Sequence, residues 1–185
     1  MSNDGQAPQG GFTWHAVAAP RPYRRATMPQ SKTDVWETPG WLFRRLDDEF
    51  HFTVDVAALP ENAKCSRFYT AADNGLAQDW RGERVWCNPP YDHRNLTAFV
   101  GKGYRAVRND PETVAVFVVP VKSDQAWWHD FALHAEIRYI RGRVAFGGVA
   151  STAPMPVCVL VFAEDYPRDM ISLPQPQTSI LDRVE

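Results

Sequence analysis

The sequence predicts an α/β protein built on a largely parallel sheet, and three observations carry that reading. Apolar runs of strand character alternate with segments of helical periodicity. The run Val114-Ala115-Val116-Phe117-Val118-Val119-Pro120 is apolar without a break, as a strand buried on both faces of a parallel sheet requires. Ile137-Arg138-Tyr139-Ile140 and Pro156-Val157-Cys158-Val159-Leu160-Val161-Phe162 are joined by too few residues for a helical crossover, which predicts an antiparallel edge pair at that end of the sheet.

The elements follow in order. Pro39 marks a helix start, with Thr38 as its cap, and Trp41, Leu42, Phe43, Leu46 and Phe50 recur at helical spacing behind it. Phe52 to Ala57 reads as a strand ending in small residues, and Phe68-Tyr69-Thr70 as a short second one. Arg84 to Cys87 is a strand, and Leu96, Phe99, Val100, Tyr104 and Val107 place a helix after it. Gln125 to His134 is a further helix, and Val144-Ala145-Phe146 a short strand.

Residues 1–33 are rich in Pro, Gly, Gln and Ala without periodicity and read as a flexible tail. Residues 34–166 form the predicted folded domain, and 167–185, with Pro167, Pro174 and Pro176, a second tail. A hydrophobic content of 44% and a net charge of −2 fit a globular protein. They argue against tight phosphate binding by overall charge, though Arg138, Arg141 and Arg143, and Arg21, Arg24, Arg25 and Lys32, form local basic clusters. The N-terminus is polar and lacks the apolar centre of a signal peptide, so the expected location is the cytoplasm, bacterial or in a phage-infected host. Cys65, Cys87 and Cys158 form no CxxC pair, and the five histidines have no metal-ligand spacing, so no metal is expected.

Chemistry concentrates at Asn88-Pro89-Pro90-Tyr91, directly after the strand ending at Cys87. An asparagine oxygen accepts a hydrogen bond from an amine, and proline donates none, leaving its carbonyl as a second acceptor. The tyrosine ring offers a face for stacking. The tetrapeptide is suited to gripping a planar group with an amino function. Asp55, Asn88 and Pro120 all sit at carboxyl ends of predicted strands, the rim where open α/β sheets bind ligands.

These residues, in order, resemble the phage-type DNA N-6-adenine methyltransferases, the Dam-like family. The match comprises Trp36-Glu37-Thr38-Pro39, Asp55-Val56-Ala57-Ala58, Asn62-Ala63-Lys64-Cys65, Gly75-Leu76 with Asp79-Trp80, and Val85 to Tyr91. Pro120, Lys122, Asp124, Trp128-His129 and Gly142 to Phe146 extend it, from about residue 34 to about 163. The resemblance implies a Rossmann-like S-adenosylmethionine-dependent methyltransferase fold. It also implies methyl transfer from S-adenosylmethionine to the exocyclic amine of an adenine flipped out of double-stranded DNA.

It further implies roles. Asn88 and Pro89 would accept the amine hydrogens, with Pro90 and Tyr91 completing the catalytic motif and Tyr91 stacking on the base. Asp55 would face the positive end of the cofactor, with Ala57 standing where other methyltransferases carry a glycine-rich turn. Asp79 and Trp80 would hold the cofactor's adenine, and Trp36, Thr38 and Pro39 would lie near its methionine end. Phe146 would wall the base pocket opposite Tyr91, and Lys122, Arg141 and Arg143 would contact phosphates. Core packing is the competing reading for Trp36, Trp80 and Phe146. The rival functions are methylation of a protein glutamine, whose enzymes keep the glycine-rich turn, and a catalytically inert DNA- or nucleotide-binding module. DNA recognition is expected from the loops at Asp92 to Asn95 and Ala150 to Met155, or from the N-terminal tail, with modest specificity.

Overall fold

In chain order the elements are α1 (Gly40–Phe50), β1 (Val54–Asp55), β2 (Arg84–Cys87), α2 (His93–Asn109), β3 (Val114–Pro120), α3 (Ala126–Asp130), β4 (Glu136–Ile140), β5 (Val157–Phe162) and β6 (Met170–Leu173). A single 3-10 turn, Ala132–His134, follows α3. The computed structural model describes residues 37–147, 153–166 and 169–175, all within one compact unit, Thr33–Glu185. Trp36 and the basic residues of the N-terminal segment lie outside the described residues, as do Ala150 to Thr152.

The six strands form one sheet in the order β1-β2-β3-β5-β4-β6. β1, β2 and β3 pair in parallel, β5 runs antiparallel to both β3 and β4, and β6 is parallel to β4. Five strands therefore share one direction, as the mostly parallel α/β reading requires. The antiparallel strand is not at the edge, however. β5 lies inside the sheet, and all six of its residues are buried. An interior position covers both faces of so apolar a strand. The edge belongs to β6, three of whose four residues are exposed. The region from residue 167, read from sequence as a tail, thus contributes a strand. Its apolar pattern is too short to announce one.

Alternation along the strands sorts side chains onto two faces. Ala115, Phe117 and Val119 of β3 and Cys158, Leu160 and Phe162 of β5 face one core, with Leu96, Phe99 and Val100 of α2 and Trp127 and Trp128 of α3. Val116 and Val118 of β3 and Val157, Val159 and Val161 of β5 face the other, with Leu42, Leu46 and Phe50 of α1. The result is a sheet between two helical layers. Each fully buried large side chain contributes about 1.5–3 kcal/mol.

Local boundaries differ from the sequence reading for identifiable reasons. Asp92 accepts a bond from the Asn95 backbone N–H at 3.0 Å and caps α2, so Asp92 to Asn95 is the first turn of a helix rather than a loop. The predicted helix over Gln125 to His134 is interrupted at Phe131. Phe68 makes one parallel bridge to Asp55 instead of a full strand. No described helix is long and apolar enough to cross a membrane.

α1 is fastened to the sheet by charge as well as by packing. Arg138 of β4, 6% exposed, donates to both Glu49 oxygens at 2.6 Å and to Glu136 beside it. Its guanidinium bonds hold the Glu49 carboxyl below the usual range. Arg138→Ala leaves buried Glu136 without its partner and is expected to destabilise the fold by about 3–5 kcal/mol. Urea unfolding monitored by tryptophan fluorescence measures the loss.

Candidate active site

β1 and β2 create the site. Asp55, the last residue of β1, pairs in register with Trp86 of β2, and Val56 N–H donates to the Trp86 carbonyl at 3.1 Å. Two residues further along, Asn88 leaves β2 on the same rim, and Pro89 and Pro90 end the ladder because neither offers an N–H. Asp55 and Asn88 line one cavity of about 390 Å³, with Thr38, Ala57, Pro89 and Pro90 also on its wall.

Asp55 is 4% exposed. Its Oδ1 accepts from Ala57 N–H at 3.2 Å and its Oδ2 from Lys64 N–H at 3.1 Å, which folds the turn after β1 around the carboxylate. Alanines here let that turn close tightly where other methyltransferases are expected to carry glycine. Burial pushes the Asp55 carboxyl above its ordinary pKa, partly offset by the Lys64 and Ala57 amides and by the Lys64 charge. The cavity therefore contains a carboxylate whose ionised form calls for a cation.

Segments distant in sequence complete the walls. Glu37 pairs with Lys64 Nζ at 3.1 Å, and its backbone bridges Gly147, with Gly147 N–H donating to Glu37 O at 2.8 Å. Thr38, predicted as a helix cap, does not cap α1; that position falls on Pro39. The Thr38 hydroxyl instead accepts from Asn88 Nδ2 at 3.1 Å. The loop 70–76 forms another wall and is drawn against β1 at Gly75, where a Cβ would collide with the Val56 carbonyl. Asn62, Lys64, Asn74, Asn95 and Phe99 also line the cavity. Asn95 was expected in a DNA-reading loop; the other four had no role assigned from sequence, although Asn62 and Lys64 stand in the motif set.

Other predicted residues are not brought to this cavity. Asp79 is exposed and bonded to Arg81, whose guanidinium holds its carboxyl at about 2. Asp79 and Trp80 line a second depression with Arg81, Lys102 and Arg105. Trp80 is buried, donates its indole N–H to Gly75 O at 3.0 Å, and lies under Lys102 Nζ, 4.7 Å from the ring centroid. Lys102 Nζ donates to Leu76 O at 2.7 Å and to Gln78 O. Trp80 therefore supports the cavity loop from behind, and the Asp79-Trp80 pair, expected at the cofactor's adenine, lies at the second depression rather than on the wall that carries Asp55 and Asn88.

Tyr91 and Phe146 meet edge-on, ring centroids 6.4 Å apart and planes at 81°. Phe146 is 2% exposed. The two rings touch each other, and Phe146 also packs in the core under α1. The Tyr91 hydroxyl is buried without a hydrogen-bond partner among the described residues, and burial pushes its pKa well up. Lys122 follows the carboxyl end of β3, and Arg141 and Arg143 follow that of β4, so the parallel sense of these strands puts all three on the rim that carries Asn88. Arg143 donates to Ala153 O at 3.3 Å. Among the described residues no cluster of His, Cys, Asp and Glu could hold a metal ion.

Sheet order and rim together define a Rossmann-like α/β fold, mostly parallel with one antiparallel strand. The chain belongs to the DNA N-6-adenine-methyltransferase (Dam) family, which matches residues 25–173. It is 35% identical over 71 residues to the DNA N-6-adenine-methyltransferase of Haemophilus phage HP1, covering 37% of this chain and 41% of that one. It is 28% identical over 110 residues to the enzyme of the same name from Escherichia phage T1, covering 58% of this chain and 44% of that one. The chain thus spans less than half the length of these two relatives. Among solved structures it is similar to the Type IIL restriction-modification enzyme MmeI in complex with DNA, with a TM-score of 0.42 and 13% identity, over 73% of this chain and 23% of that one. That likeness is too distant to argue from.

The raised pKa of Asp55 has a sign that can be measured. A carboxyl with a raised folded-state pKa contributes stability below its unfolded value, about 4, and loses it as pH rises through the folded value. The stability of the free protein relative to Asp55→Asn is therefore expected to shift against the wild type as pH rises from about 4 through the raised folded-state pKa. Parallel urea titrations across that window check it. A flat difference contradicts it.

Proposed function

We propose that the protein transfers a methyl group from S-adenosylmethionine to the exocyclic 6-amino group of an adenine turned out of double-stranded DNA. The observation that carries the reading is Asn88 beside a buried acid: the Asn-Pro-Pro-Tyr end of β2 and the carboxylate of Asp55 line the same cavity. Family membership names the reaction class, and the phage relatives bear that activity in their names.

The cavity suits the cofactor. Its volume lies within the range of small-molecule sites, about 300–1,000 Å³. It has an acid for a cationic group in Asp55 and apolar walls in Val56, Leu59 and Leu76. Ala57 and Ala58 leave room where larger side chains would fill it. When bound, S-adenosylmethionine supplies an electrophilic methyl group on a sulfonium sulfur.

The protein's own part is positioning and electrostatics. The adenine amine is a weak nucleophile because its lone pair is delocalised into the ring. The Asn88 side-chain oxygen and the Pro89 carbonyl accept its two hydrogens and favour the tetrahedral nitrogen that attacks. The new N–C bond forms as the methyl–sulfur bond breaks, and one amine proton then leaves to solvent. No strong base is required for attack, and preorganised acceptors of this kind are worth about 10²–10³ in rate each. Asp55 balances the positive charge of the cofactor before transfer. Tyr91, the neighbouring aromatic, is the stacking surface for the base, and its ring must part from Phe146 to serve. Lys122, Arg141 and Arg143 are the phosphate contacts on the rim, and the cytoplasm is the place of action.

Incubation with methyl-tritiated S-adenosylmethionine tests the reading. Label is expected in duplex DNA as N6-methyladenine. Label in protein glutamine favours the rival transferase, and no cofactor binding at millimolar concentration favours the inert module. Asn88→Ala is expected to lower the rate at least 10²-fold with unchanged unfolding behaviour. A folded Asn88→Ala variant of normal activity removes Asn88 from the mechanism.

A further inference from the structure

We infer that the ring of Tyr91 is parked tip-inward in the free protein, and that its unpartnered hydroxyl keeps this closed form weak enough for an incoming base to release it. The inference rests on the proposed role of Tyr91 as the stacking surface for the adenine.

The hydroxyl is the anomaly. Tyr91 as a residue is half-buried, yet its hydroxyl oxygen is fully buried and has no hydrogen-bond partner among the described residues. The root of the side chain is therefore at the surface and the tip in the interior. The ring packs against the cores on both faces of the sheet and meets Phe146 edge-on, centroids 6.4 Å apart. The groups that act on the hydroxyl are the buried thiols of Cys87 and Cys158. Thiols are weak partners, and neither bonds it. Buried hydroxyls in folded proteins are nearly always paired. One left unpaired shifts an equilibrium against the state that buries it by roughly tenfold.

The surroundings allow release. Tyr91 stands in the bend between the end of β2 and Asp92, the cap of α2, and both Pro90 and Asp92 are exposed. Rotation about the side-chain bonds takes the ring out to the rim without moving either element. Phenylalanine would fill the same place, stack on a base equally well, and bury no polar group. Packing therefore does not account for the hydroxyl, whereas release does. In the parked form it lacks a partner; in the released form water reaches it. A base that draws the ring out binds only the released form. Whatever disfavours the parked form relative to the released one strengthens base capture by the same factor. Stability of the free protein and productive DNA capture are thus coupled with opposite signs.

The test is Tyr91→Phe, which keeps the ring and removes the hydroxyl. The free variant is expected to be the more stable, its folded-to-unfolded ratio rising about tenfold, read as a higher urea midpoint at unchanged slope. Its kcat/KM for duplex DNA is expected to fall by a similar factor, with S-adenosylmethionine affinity unchanged. A hydroxyl that served only structure or only chemistry would lower activity without raising stability. A variant no more stable than the wild type overturns the inference, and so does a more stable one with undiminished kcat/KM. The second readout needs no catalysis. In protein labelled with fluorotyrosine, the Tyr91 fluorine resonance is assigned by its loss in Tyr91→Phe. In the free protein it is expected not to shift when water is replaced by heavy water. A shift as large as that of exposed Tyr139 shows a ring already in solvent and overturns the inference. Failure of the underlying function looks different: the wild type does not methylate DNA, while the stability difference between Tyr91 and phenylalanine stands.

Discussion

Everything at the rim depends on a parallel pairing only two residues long. Val54 opposite Val85 and Asp55 opposite Trp86 fix the register of β1 on β2. In a strand, a slip of one residue turns every side chain to the other face. Here it would move Asp55 out of the cavity and part it from Asn88. So short a strand needs support beyond its own ladder. Thr53 N–H donates to Arg84 O at 2.8 Å and Val56 N–H to Trp86 O, which extends the pairing at both ends. On the outer edge, Asp55 N–H bonds Arg67 O and Tyr69 N–H bonds Asp55 O. That segment covers an edge that would otherwise be left open.

Around this pairing the cavity is assembled from wall residues and from supports that stand behind them. Trp80 and Lys102 hold the loop at Gly75 to Gln78 from behind. Gly75 allows that loop to press on the Val56 carbonyl. Glu37 and Thr38 contribute a further part of the wall. The consequence is electrostatic. Asp55 sits where burial disfavours its charge, with backbone amides that only partly compensate. Asp79, by contrast, is exposed and paired with Arg81.

The fold class and the strand-end positions of Asn88 and Asp55 were legible in the sequence because they depend on local pattern. β3 announces a buried strand by seven apolar residues, and Asn88 and Asp55 each follow a strand signal directly. Thr38 was misread as a cap because Thr-Pro before a helical pattern is a local signature of one. Nothing local reveals a partner fifty positions away. For Asp79 the sequence shows only an acid beside a tryptophan; that it is exposed, paired with Arg81 and apart from the cavity of Asp55 emerges in the fold. Phe146 lies between a glycine turn and the loop beyond, and only the fold shows that its ring packs under α1 and against Tyr91.

The sequence by itself determined the alternation of strand and helix, the apolar interior strands, and the acceptor-rich end of β2 with its two prolines. These follow from side-chain chemistry and backbone limits that act over a few residues. Tertiary structure alone decided that β5 sits inside the sheet and β6 at its edge, that Asp55 is buried beside Asn88, and that Glu37, Thr38, Lys64 and Gly75 build the walls. Strand order and long-range hydrogen bonds arise from burying every apolar face and pairing every buried polar group at once. That condition applies to the whole chain and cannot be met, or read, one segment at a time.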